Sequence, residues 1–324
     1  MTTNPPSPRI SVLVCTRNRG SYIGKCLHAI LQSKIKDMEL LVIDQSDGDE
    51  TRQAVLAIDD PRLRYLSTPT RGLSRARNIG IEASHAPIVL FTDDDNYAEP
   101  DWVEKVLEQF AKDPRREAVY GRVMAYGKGG EGMTCPTIME VMEPREVQGL
   151  GRERIQGSVG HGNNMAFRRE CFVKHGLFLE WLGAGTPMTG GEDTDFSFRM
   201  LRAGARVYYS PEPVVHHDNW MPVAKANKQL HGYVCSGAVV YTRYVLRGSS
   251  IAFIIQRNCF KDYENSMRWW KSQNDPAGIE HVKTMKRRHW KGILLGILYA
   301  FRGPKRYRPG QKTLEWTEHA GGVR

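Results

Sequence analysis

Short β-branched runs alternate with segments whose apolar positions recur at helical spacing along the first two thirds of the chain. Arg9-Ile10-Ser11-Val12-Leu13-Val14-Cys15 has the length and apolar continuity of a strand buried on both faces. A polar turn follows, and the apolar residues from Tyr22 to Leu31 then recur at helical spacing. Further strands are predicted over 39–44, 64–66 and 86–92, with helices over 49–58 and 74–83. This alternation predicts an α/β protein with a mostly parallel sheet flanked by helices. Ligands in such sheets bind beyond the carboxyl ends of the strands. Cys15, Thr16, Asp44 and the acids Asp93, Asp94 and Asp95 all fall there.

The pattern continues with a helix from Trp102 to about Ala111, a strand over 118–123 and another over 161–167 after a tight turn. A helix over 192–203 ends at Gly204, with a strand over 206–209 behind it. Residues 126–160 are glycine-rich and give no clear period, and beyond about Trp220 the chain reads as helices rich in basic and aromatic residues. The expected division is a disordered tail over 1–8, a catalytic domain over 9–218 and a helical region over 219–324.

Hydrophobic residues at 40% and charged residues at 25% are ordinary for a soluble globular protein. No signal-peptide pattern is visible, and no run approaches the roughly 20 apolar residues of a spanning helix. The six cysteines form no CxxC pair, which fits a reducing compartment and a cytoplasmic location. The net charge of +10 is concentrated: residues 281–312 hold ten Lys and Arg and no acid, the whole excess. Inside that segment, Trp290 to Phe301 is a short apolar run with aromatic ends between basic clusters. Two readings are open: an interfacial helix on the cytoplasmic face of an anionic membrane, or a helix packed on the domain with its charges in water. No nucleic-acid-binding motif is present.

The sharpest chemical signal is Asp93-Asp94-Asp95, three carboxylates closing an apolar strand. Adjacent acids repel, and a hard divalent cation, Mg²⁺ or Mn²⁺ bridging a diphosphate, relieves that repulsion; the plain alternative is a solvated acidic turn. A dinucleotide oxidoreductase would carry G-x-G-x-x-G after the first strand, where this chain has Thr16-Arg17-Asn18-Arg19-Gly20. A nucleotidyltransferase would want a glycine-rich phosphate loop and a lysine there, and neither is convincing.

Six motifs occur in order: Ser11 to Arg19, Leu41 to Ser46, Gly72 to Gly80, Phe91 to Asp95, Gly162 to Ala166, and Gly191 to Phe196. Together they resemble the family 2 glycosyltransferases of GT-A fold over about residues 9–218. The resemblance implies an inverting transfer of a sugar from a nucleotide-diphosphate sugar to a hydroxyl of a glycan or lipid-linked saccharide, assisted by Mn²⁺ or Mg²⁺. It implies that Asp95 holds the metal and that Asp93 completes the pair through ribose or metal-bound water, with Asp94 serving either part. His217 is a further metal candidate, or one of two packing histidines. Thr16, Arg17, Asn18, Asp44, Gln45 and Arg77 would meet the nucleotide; Asp44 suits a pyrimidine N3–H, and Gln45 leaves uracil favoured over thymine or guanine. Asp193 would take the acceptor proton, with Glu192 beside it. Asn163, Asn164 and Trp181 are candidates for contact with sugar or acceptor, or for turn and packing roles. A mobile loop is expected over 184–190. The alternative is an inactive sugar- or nucleotide-binding scaffold, against which stands the presence of both Asp95 and Asp193.

Overall fold

The computed structural model describes residues 7–150 and 159–319; most of the tail expected to be disordered lies outside them. The strands are β1 (Ile10–Thr16), β2 (Met38–Asp44), β3 (Leu63–Ser67), β4 (Ile88–Asp93), β5 (Asn96–Ala98), β6 (Ala118–Ala125), β7 (Met133–Thr134), β8 (Arg145–Gln148), β9 (Asn164–Arg168), β10 (Arg206–His217), β11 (Met221–Pro222) and β12 (Thr317–His319). The helices are α1 (Gly20–Leu31), α2 (Glu50–Leu56), α3 (Leu73–Ala83), α4 (Trp102–Lys112), α5 (Glu170–His175), α6 (Glu192–Arg202), α7 (Val223–Val245), α8 (Ser250–Ser272) and α9 (Pro276–Leu298).

Ten strands form one mixed sheet in the order β12-β3-β2-β1-β4-β9-β6-β10-β5, with β8 also on β10. The β3-β2-β1-β4 core is parallel, whereas β9 runs antiparallel between β4 and β6. Successive residues of β1 and β2 point to opposite faces, and both sets are mainly apolar, with buried Ser11 donating to buried Glu39 as an exception. Leu13, Leu41 and Ile43 join a core with Phe91, Phe167 and Phe196. Val12, Val14, Leu40 and Val42 join another beneath Trp102 and Ile23. A sheet covered on both faces needs this continuous apolar character, so the central strands were readable from sequence.

The sequence reading ended the strand after Gly204 at Tyr209; β10 continues to His217 with an irregularity between Tyr209 and Val214. That extension carries His217 to the end of the sheet where β1 and β4 finish. The region left unassigned supplies β7 and β8, and the C-terminal tail supplies β12 as an added edge.

The three long C-terminal helices are not a detached appendage. Leu179, Leu182, Met188 and Phe198 of the α/β layer share a core with Val239, Val240, Tyr244 and Ala252 of α7 and α8. Buried Asp195 of α6 also accepts hydrogen bonds from Arg243 Nη1 at 3.1 Å and Tyr244 Oη at 3.0 Å. These contacts bring α7 across the carboxyl ends of the strands.

Candidate active site

β4 ends at Asp93, so the next two acids leave the sheet into the crevice predicted above the strand ends. Each then meets a different partner. Thr16 Oγ1 donates to Asp94 Oδ2 at 2.6 Å. Arg19, at the start of α1, reaches both Asp94 Oδ1 at 3.2 Å and Asp95 Oδ2 at 2.6 Å. His217 Nε2 lies 3.4 Å from Asp95 Oδ1. Asp93 is 3.6 Å from Arg77 Nη2.

Burial is the main force on these carboxyls. It pushes Asp94 up to about 6, against the opposing charge of Arg19. Asp93 is also raised by burial, with Arg77 opposing and Asp95 adding repulsion. Burial would raise Asp95 too, but its hydrogen bond with His217 and the charge of that ring hold it below the usual range. His217 is correspondingly raised: burial works against protonation, and Asp95 outweighs it.

Across the crevice, Gly191 has φ 88°, a left-handed conformation that turns the chain abruptly into α6. Glu192 and Asp193 therefore open that helix. Gly162 N donates to Asp193 Oδ2 at 3.1 Å, and Thr194 N donates to Oδ1 at 2.7 Å. Glu192 is buried and accepts from Arg77 Nη1 at 2.8 Å. Arg77 Nη2 donates to Gly162 O at 2.9 Å. One buried guanidinium thus ties together Glu192, the Gly162 turn and Asp93. Even so, burial, followed by repulsion from Asp193, raises Glu192 to about 7.

Asp93–Asp95, His217 and Asp193 line one cleft of about 460 Å³. Its wall includes residues the sequence reading did not select: Thr137, His161, Asn219, Gln229 and Tyr233. His161 adjoins the Gly162 motif and could have been found by that adjacency. Gln229 and Tyr233 sit on α7 and carry no local motif. Tyr233 packs against Gly190, where a Cβ would come within 2.6 Å of the ring.

The other sequence candidates divide clearly. Asn163 lines the cleft, buried, and both Oδ1 and Nδ2 lack a protein partner among the described residues. Asn164 points elsewhere: Nδ2 donates to Arg122 O and Pro213 O, and Oδ1 accepts from Trp102 Nε1. Trp181 also lies outside the cleft, 4.6 Å from the Tyr299 ring and 4.9 Å from the Arg243 guanidinium. The turn and packing roles that the sequence left open are the ones these side chains fill here, with partners on α4, β6, β10 and the C-terminal helices that no local sequence shows. Arg77, considered for the nucleotide, lines the cleft while bonded to Glu192 and Gly162 O.

Thr16, Arg17, Asn18, Asp44 and Gln45 gather beside the cleft rather than in it. Asp44 accepts from Tyr65 Oη at 2.7 Å and from Ser46 N at 2.8 Å. Gln45 Nε2 donates to Thr70 Oγ1 and Gly72 O. Arg17 and Asn18 both reach Asp47, and Asn18 takes φ 56° to do so. A second cavity of about 370 Å³ lies here, lined in part by Asp44, Asp47, Arg52, Tyr65 and His319.

The metal candidates can be tested by their donor atoms. His217 Nδ1 lies 3.0 Å from Pro136 O, so this nitrogen carries a proton, and Nε2 is the nitrogen directed at Asp95, where it would give up its own proton to bind a cation. An imidazole nitrogen and carboxylate oxygens together suit Mn²⁺. Among the described residues no three His, Cys, Asp or Glu converge closely enough to form a complete protein-only site. These residues would fit a cation only with further ligands from outside the protein, as a diphosphate could supply.

Comparison with known proteins agrees with this architecture. The model of glycosyl transferase family 2 matches residues 11–176, just over half of the chain. EpsH of Bacillus subtilis (strain 168), a protein named as a glycosyltransferase, is 24% identical over 266 residues, 81% of this chain and 73% of its own length. A glucosyl-dolichyl phosphate glucuronosyltransferase of Haloferax volcanii is 24% identical over 64% of this chain and 69% of its own. Among solved structures, the mannosyltransferase PcManGT of Pyrobaculum calidifontis, in complex with GDP-Man and Mn²⁺, superposes with a TM-score of 0.57 at 17% identity, over 91% of this chain and 88% of that one. The sheet order, the flanking helices and the family match agree. This chain belongs to glycosyl transferase family 2 and is a GT-A glycosyltransferase that uses a nucleotide-sugar donor.

Proposed function

We propose that this enzyme moves a sugar from a nucleotide-diphosphate sugar, with UDP the favoured carrier, to a hydroxyl of a glycan or lipid-linked saccharide, in one inverting displacement with Asp193 as general base. The observation that carries this reading is a single cleft with an acid-and-imidazole wall facing the start of α6. Diphosphate and acceptor need opposite things. The leaving group gathers negative charge, whereas the attacking hydroxyl must lose a proton.

Asp193 suits the second need. Its two oxygens are oriented by Gly162 N and Thr194 N, and its side chain remains on the cleft wall. As the acceptor oxygen bonds to the anomeric carbon, its proton passes to Asp193 and the bond to the diphosphate breaks with its electron pair on phosphate oxygen. A base acting once, with no second nucleophile, supports inversion. Arg77 holds Glu192 and the Gly162 carbonyl, and so fixes the turn that orients Asp193. Asn163 offers an unpaired amide to a hydroxyl of donor or acceptor.

Asp95 and His217 would hold the cation, with Asp93 beside them. When bound, a divalent ion supplies positive charge that stabilises the departing diphosphate. Arg19 already balances Asp94 and Asp95, and Asp94, bonded to Thr16, supports the loop rather than a ligand. Asp44 and Gln45 supply an acceptor and a mixed donor–acceptor for a base beside the cleft, which favours uracil.

The test is Asp193→Asn. Donor affinity is expected to stay within about 2-fold, and kcat to fall by roughly 10²–10⁴. Transfer at a wild-type rate would remove Asp193 from the role. Transfer absent from wild type with every donor would favour the inactive scaffold.

A further inference from the structure

Among the described residues, the C-terminal helices leave one surface without a partner. In α9, Gly292 and Gly296 face α7 so closely that a Cβ would meet Cys235 O at 2.3 Å and Thr242 Cβ at 2.6 Å. These glycines fix which side of the helix is inward. The opposite side carries Trp290, Leu294, Ile297 and Leu298, and Phe301 follows one turn later. Their spacing of four, seven, eight and eleven residues from Trp290 forms one stripe. All are exposed, Leu298 at 75% and Phe301 at 95%. Phe253 on neighbouring α8 is exposed as well.

A solvated helix does not ordinarily place five large apolar side chains in line. The charges around the stripe say what would cover it. Lys283, Arg287, Arg288 and Lys291 are exposed on the same helix, and Arg302, Lys305, Arg306 and Arg308 are exposed just beyond it. Residues 281–312 contain no acid. A second copy would bring the same cations against these, and like charges would meet. A surface that is negative, laterally continuous and apolar beneath its charge satisfies both features. No helix among the described residues is long and apolar enough to cross a membrane, so the contact would be lateral.

We infer that the exposed face of α9 from Trp290 to Leu298, with Phe301 just beyond the helix, docks on an anionic lipid bilayer, inserting its apolar stripe while the flanking lysines and arginines engage the headgroups. The two sequence readings of this segment are then one arrangement: the glycine face packs on the domain and the opposite face meets lipid. Because α9 runs along α7, whose Gln229 and Tyr233 line the cleft, docking would hold the active site beside a lipid-borne acceptor. The inference rests on this surface and not on the roles assigned to Asp95 or Asp193.

The experiment is flotation of the full-length protein with vesicles of phosphatidylcholine alone or with about 30% phosphatidylglycerol, at low and high salt, alongside light scattering for oligomeric state. Leu294→Asp combined with Leu298→Asp places charge on the exposed stripe, and circular dichroism and donor binding check its fold. Wild type should float with anionic vesicles at least 10-fold more than with neutral ones. High salt should remove most of that preference, and the double variant should lose binding while keeping its fold. Absence of anionic-vesicle binding, equal binding by the double variant, or a dimer that only the double variant abolishes would overturn it, the last by assigning the stripe to a second copy.

Discussion

Glu192→Gln probes the buried charge cluster that orients the proposed base. In the folded protein Glu192 titrates at about 7, raised by burial and by Asp193 despite the ion pair with Arg77. Unfolded, it returns to 4.5, the ordinary value. A folded value above the unfolded one means that its contribution is present at low pH and is lost as pH rises through 7. Between pH 5 and pH 8 this shift corresponds to a loss on the order of 2–3 kcal/mol. Glutamine is nearly isosteric, and its amide oxygen can still accept from Arg77 Nη1, but it cannot ionise. Urea unfolding at both pH values, without added metal, measures the difference. At pH 5 variant and wild type should be within about 1 kcal/mol of each other. At pH 8 the variant should gain about 2–3 kcal/mol relative to wild type. A parallel pH dependence in the two proteins, or a variant less stable at pH 8, would refute the reasoning and show that Arg77 holds Glu192 fully ionised.

Other perturbations separate supporting residues from reacting ones. Arg19→Gln removes the side chain that bridges Asp94 and Asp95; Mn²⁺ should bind about 10-fold more tightly, on the order of 1.4 kcal/mol, by electron paramagnetic resonance, and an unchanged Kd would mean that Arg19 does not compete with a cation. Asn164→Ala strands Trp102 Nε1 and two carbonyls and should cost about 2–3 kcal/mol of stability. Asn163→Ala removes an amide with no protein partner and should leave stability within about 1 kcal/mol while raising KM for donor or acceptor; the opposite ranking in thermal melts would exchange their roles.

How much was legible follows from how local each signal is. The central strands were plain because both faces are buried and most positions are apolar, and the acids at their ends followed from the direction of the chain. Asp193 was selected because a motif surrounds it, and it lies on the cleft wall. Long-range pairing left no such trace. β12 joins the sheet only because residues 317–319 meet 65–67, and β9 is antiparallel for reasons its own sequence does not state. Arg77 and Asn164 carry the motifs of ligand-binding residues, yet their partners are Glu192, Trp102 and backbone carbonyls far along the chain. Tyr233 and Gln229 reach the cleft through the packing of α7, which Arg243 and Tyr244 fix on Asp195.

Isothermal titration of UDP-, dTDP- and GDP-sugars, with Mn²⁺ and with chelator, into wild type and Asp95→Ala tests the acid-and-imidazole wall most directly. A UDP-sugar should bind wild type at least 10-fold more tightly with Mn²⁺, and Asp95→Ala should lose that increment while retaining its fold. Equal affinity with chelator, or an increment that survives in Asp95→Ala, would contradict a cation-assisted diphosphate site at these residues.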